Sequence, residues 1–66
     1  MDIESFKKLI TNHLESKNID LGIINTTVNN YSGHYQRGDY KGKATALITT
    51  AIKEAMKTQS DRKKNK

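Results

Sequence analysis

Between Gly33 and Thr45 the chain reads GHYQRGDYKGKAT, a stretch that holds three glycines, two tyrosines, a histidine and three cations. Such a mixture could handle phosphate in two ways. The first is a nucleotide-binding loop, in which glycine, four residues and then Gly-Lys-Ser/Thr turn backbone N–H groups onto a triphosphate between a buried strand and a helix. Here Gly38 is followed by only three residues before Gly42-Lys43-Ala44-Thr45, with alanine where the hydroxyl belongs, and no apolar strand precedes it. The spacing argues against nucleotide hydrolysis. The tripeptide Arg37-Gly38-Asp39 also matches a cell-adhesion motif, but three residues recur by chance too often to carry weight.

The second way is contact with a nucleic-acid backbone. Cations neutralise phosphates while aromatic faces stack on exposed bases, and His34, Tyr35, Arg37, Tyr40, Lys41 and Lys43 supply both. Tyr31 and Tyr40 also fall on apolar stripes, where a ring is more often core than ligand. His34, Tyr35 and Arg37 fall in the expected connection between helices and are the sharper candidates. Arg62, Lys63 and Lys64, near the C-terminus, would add phosphate contacts that are indifferent to base sequence.

Catalysis has little to work with. There is no cysteine, no local motif suggests a Ser, His and Asp trio, and the acids are scattered, mostly near helix ends. Two histidines, His13 and His34, are too few for an ordinary structural zinc site. The expectation is a protein that is not an enzyme and has no cofactor and no metal.

Charge is placed unevenly. Residues 1–36 carry three cations against four acids, and residues 37–66 carry nine against three. A basic half of this kind points to a polyanionic partner, the bland alternative being a solvated surface that keeps a small protein dispersed. No apolar run exceeds three residues, which excludes a membrane span of about 20 residues. The opening MDIESFKK has acids where a secretory signal would have bases. The expected location is therefore the cytoplasm. The composition, rich in Lys and Asn and free of Cys, Trp and Pro, suits a small accessory protein of a bacterium, phage or plasmid.

The elements that must position these residues are helices. Ile3, Phe6, Leu9, Ile10 and Leu14 form one stripe over positions 2–16, the mark of an amphipathic helix with one buried face. Over 20–33 the spacing of Leu21, Ile24, Val28 and Tyr31 predicts a short middle helix, with Asp20 at its start and Gly33 supplying the left-handed residue after its end. From Asp39 a third pattern runs through Tyr40, Ala44, Leu47, Ile48, Ala51, Ile52 and Ala55, with Asp39 as N-cap or, since Gly42 weakens the first turn, a start nearer Lys43. Its alanines invite close approach by a partner helix, either the first helix or its copy in a second subunit.

The reading is an all-α fold: two long amphipathic helices and a short middle one in a single domain over 1–58, completed by dimerisation, with a basic disordered tail over 59–66. Its expected function is low-specificity binding of DNA or RNA through the central loop, the start of the last helix and the tail. The competing reading is a protein-interaction module that docks a larger, acidic protein on the stripe Ala44, Leu47, Ile48, Ala51, Ile52 and Ala55.

Overall fold

The computed structural model describes residues 2–64, with side chains through Arg62. Three helices make up the fold: α1 (Ile3–Ser16), α2 (Leu21–Arg37) and α3 (Ala44–Lys64). Each packs against both of the others, in a bundle measuring 37 × 19 × 15 Å. The all-α expectation holds.

Local chemistry explains most helix ends. Asp2 caps α1, its carboxylate accepting a 2.8 Å bond from the Ser5 N–H, and that bond holds the carboxyl below its usual pKa. At the other end Asn18 takes a left-handed conformation, φ 58°, which asparagine tolerates better than most residues. The Ile19 N–H then bonds back to the Leu14 carbonyl and the Asn18 N–H to that of Glu15, both at 3.1 Å. This is a Schellman ending, and the apolar contact that often accompanies it comes from Leu14 and Ile19, both buried. Asp20 caps α2 through a 3.2 Å bond from the Gly22 N–H.

The middle helix is longer than its spacing predicts. It passes through Gly33 and ends four residues later, where Gly38 adopts φ 69°. Glycine inside a helix costs only about 1 kcal/mol relative to alanine, and tertiary contacts around the last turn of α2 outweigh that. His34, Tyr35 and Arg37, expected in the connection, lie on α2 itself. The stripe is also rotated from the expected one: Ile23, Ile24 and Thr27 are buried, whereas Leu21 is exposed. A central helix flanked on two sides buries a broader arc than a single line of positions suggests.

The third helix starts at Ala44, beside Lys43 as the weak turn at Gly42 suggests and not at Asp39, and continues to Lys64, through residues 59–64 that the sequence assigns to a tail. Gln59 accounts for the extension. Its carboxamide accepts from the Asp20 N–H and donates to the Asn18 carbonyl at 3.2 Å, tying α3 to the α1–α2 turn across some forty positions of sequence. Arg62 adds an exposed ion pair with Asp20 at 3.7 Å, of a kind that contributes about 0–1 kcal/mol. Residues 65 and 66 lie outside the described residues.

One core serves the whole chain. Phe6, Ile10, Leu14, Ile23 and Ile24 meet Leu47, Ile48, Ala51 and Ala55 in a single cluster, with Ile52 packed against it. The stripe expected to face a partner is therefore occupied internally: Ala51 and Ala55 are fully buried, Leu47 and Ile48 nearly so, and Ala44 and Ile52 half-buried. The expectation of a dimer completing the fold rested on that stripe, which α1 and α2 already cover.

Two expected outcomes follow from these assignments. Gly33→Ala should raise stability by about 0.5–1 kcal/mol, since an added Cβ meets only the movable tip of Arg37, at 3.2 Å; Gly38→Ala should lower it by about 1–2 kcal/mol because of its positive φ. Urea unfolding of the two variants checks the pair, and a helix ending at Gly33 would reverse both signs. Ala51→Leu should cost about 1–3 kcal/mol by overpacking, with an unfolding midpoint that does not change with protein concentration; a concentration-dependent midpoint would instead place Ala51 in an intersubunit contact.

Candidate nucleic-acid interface

The last turn of α2 and the loop 38–43 are organised by two side-chain interactions. Tyr35, on α2, lies between Phe6 of α1, at 4.4 Å between ring centroids and 9° between planes, and Tyr40 of the loop, at 5.8 Å and 15°. Aromatic pairs of this kind contribute about 0.5–1.5 kcal/mol beyond the area they bury. The column pins the loop to the bundle.

The second interaction closes the turn. The Asp39 N–H bonds the His34 carbonyl at 2.9 Å and the Gly38 N–H bonds that of Tyr35 at 3.2 Å, the same Schellman geometry that ends α1. Here the accompanying side-chain contact is polar: His34 Nδ1 lies 3.2 Å from Asp39 Oδ2, an ion pair whenever the imidazole is protonated. Asp39, one of the two starts expected for the last helix, is engaged with α2 by this contact, and with Gly42 at φ 79° the helix starts at Ala44, next to the other.

Around these residues runs an open groove of about 310 Å³, lined by Tyr31, His34, Asp39, Tyr40 and Lys41 on one side and by Ala46, Leu47 and Thr50 of α3 on the other. Tyr31 and His34 tilt against each other at 5.6 Å. Burial raises the pKa of the Tyr31 phenol, and the nearby Glu54 carboxylate raises it further. A larger hollow of about 650 Å³ along α1 mixes Asp2 and Glu4 with Lys7 and Lys8, so its charges oppose one another.

The structure divides the residues that the sequence proposes. It brings His34, Tyr40 and Lys41 together in the groove. Tyr35 is spent in the ring column. Arg37 lies along the outside of α2, its guanidinium 3.2 Å from where a Cβ on Gly33 would stand, and does not line the groove. Lys43 is exposed just before α3. Arg62 sits with Asp20 at the opposite end of α3, about 27 Å away along the helix axis at 1.5 Å per residue. Lys63 and Lys64 belong to α3, but their side chains lie outside the described residues. No group of three His, Asp or Glu residues able to hold a metal occurs among the described residues, and no helix among them is long and apolar enough to cross a membrane.

Two further cations stand along α3, beyond the groove. Lys53 and Lys57, one turn apart, occupy the outer face of α3, opposite the buried Ala51 and Ala55. Their signal was present in the sequence as an i, i+4 pair on the face away from the apolar stripe. Among the described residues, no carboxylate lies within ion-pair distance of Arg37, Lys41, Lys43, Lys53 or Lys57.

The raised Tyr31 pKa has a consequence for stability. The folded chain holds this phenolic proton more tightly than the unfolded chain, so the associated stability is complete below the ordinary value of 10.0 and is lost as pH rises through the folded value. The urea midpoint should fall between about pH 9 and about pH 11 more steeply for the native chain than for Tyr31→Phe. Equal slopes would remove the burial and Glu54 effects assigned to this ring.

In comparisons with known proteins, no family model matches the chain, and neither the curated proteins nor the solved structures contain a significant match.

Proposed function

We propose that this chain is a small nucleic-acid-binding protein that grips the phosphate backbone with little regard for base sequence. The observation that carries the reading is a contrast between the two faces of α3. Its apolar face is buried in the chain's own core, while the cations at its start and along its outer face, Lys41, Lys43, Lys53 and Lys57, are exposed and have no carboxylate partner among the described residues. Cations arranged in this way release counterions when they meet a polyanion. The competing reading, docking of a larger protein on the alanine-rich stripe, lacks the surface it needs. The large apolar side chains left exposed, Leu9, Leu21 and Met56, stand singly on three different helices and form no docking stripe of their own.

The grip is one of charge. The loop offers Lys41 and Lys43 beside a groove whose rings are engaged with one another. Arg37, on the outside of α2, can add a contact only to a polymer long enough to pass around the end of the bundle. Arg62 contributes least, because Asp20 already holds it.

Fluorescence anisotropy with labelled nucleic acid of mixed sequence, at low and high salt, tests this reading. Binding should show a Kd of about 10⁻⁴–10⁻⁶ M that weakens steeply with salt. The double variant Lys41→Gln/Lys43→Gln should lower the slope of log K against log salt by about 1.4–1.8, whereas Arg62→Gln should change it little. Absence of binding at low salt overturns the proposal.

A further inference from the structure

We infer that the polymer is a B-form DNA duplex lying along the outer face of α3; this inference rests on the nucleic-acid reading above and names its ligand. Binding of single strands depends on aromatic faces turned outward, on which unstacked bases can lie. This fold turns its rings on one another. Phe6, Tyr35 and Tyr40 form a column across α1, α2 and the loop, and Tyr31 is packed against the core with His34 tilted against it. A base reaching Tyr31 or Tyr35 would have to break these contacts, which leaves only Tyr40, half-buried at the end of the column, beside the groove. Charge is what the surface has left to offer, and a duplex presents the denser line of it, one negative charge for about every 1.7 Å of axis.

The outer face of α3 suits that line. Ala46, Thr49, Thr50, Lys53, Lys57 and Ser60 are all exposed, and on helical spacing they share one side, with no acid and no large apolar residue among them. The Thr49 and Thr50 hydroxyls donate back into the helix, to the Thr45 and Ala46 carbonyls, each at 3.1 Å. Small side chains keep this side of the helix narrow. A major groove about 12 Å wide admits an α-helix, whereas the deep, narrow major groove of an A-form RNA duplex does not. Ala46 and Thr50 also line the loop groove, so Lys41 continues the same basic surface. The acids of α3 stand to one side: Glu54 is close enough to Tyr31 to raise its pKa, and Asp61 lies on the same flank by helical register. With threonine and lysine in place of base-reading side chains, the contact reads the backbone.

The test compares fluorescein-labelled DNA duplex, DNA single strand and RNA duplex of equal length and mixed sequence, using the intact chain at several salt concentrations. The DNA duplex should bind several-fold more tightly than either of the others. Lys53→Gln/Lys57→Gln should lower its salt slope by about 1.8, with far-UV circular dichroism confirming that α3 persists. Tyr40→Leu should leave the order of the three ligands unchanged. Equal or tighter binding of the single strand, tighter binding of the RNA duplex, or an unaltered slope in the lysine double variant each overturns the duplex assignment while leaving phosphate-backbone binding in place. Failure of all three ligands to bind at low salt removes both.

Discussion

Ala51 and Ala55, each with a single methyl group beyond the backbone, set how closely α3 can approach its neighbours. Both are fully buried. A larger side chain at either position would hold the helix away and open the space that Leu47 and Ile48 now fill between Phe6, Ile10 and Leu14 on one side and Ile23 and Ile24 on the other. A chain of this size can bury only roughly 60% of the surface exposed on unfolding, so it can hardly spare apolar residues for a second purpose. Close approach of α3 gathers them into one core. The outer face of that helix is then left to threonine, serine and lysine.

The same economy is visible at the two turns. Both α1 and α2 end in a Schellman arrangement with a left-handed residue, Asn18 in one and Gly38 in the other. The first is sealed by Leu14 and Ile19, both buried, and clamped from outside by Gln59. In the second, His34 and Asp39 occupy the positions where the first turn has its apolar pair. At the first turn's end of the bundle, Asp20 also pairs with Arg62. At the other end, the carboxylate of the loop is engaged by its own turn, and Lys41 and Lys43 are left without a counterion from the chain. The asymmetry of charge along the sequence becomes an asymmetry between the two faces of α3, one buried and apolar, the other exposed and bearing Lys53 and Lys57.

The amphipathic spacing of Ile3, Phe6, Ile10 and Leu14, and of Leu47, Ile48, Ala51 and Ala55, was enough to establish the first and last helices and their buried faces, apart from Leu9, which is exposed, because periodicity is a local property that any helix must satisfy to hide its apolar side; the middle helix was legible as a helix but not in the face it buries. The basic character of the second half was equally plain. Helix boundaries were less legible. The stop expected at Gly33 is passed over for Gly38, where Phe6 and Tyr40 stack on Tyr35, residues that adjoin only after the chain has folded. The extension of α3 past residue 58 depends on Gln59 reaching the α1–α2 turn, a contact that no local pattern announces.

The candidate site divides in the same way. Residue types alone marked Tyr35, Arg37 and Arg62 as nucleic-acid contacts, since a ring or a cation is a suitable group wherever it is free to act. Tertiary structure engaged Tyr35 in the ring column, laid Arg37 along the outside of α2 and paired Arg62 with Asp20, while it left Lys53 and Lys57 exposed on α3. The sequence by itself determined the class of fold and the sign of the charge, both of which are sums or periodicities over neighbouring positions. Which cations remain available, and which rings are already engaged, was decided only by packing, because that depends on partners brought together from distant parts of the chain.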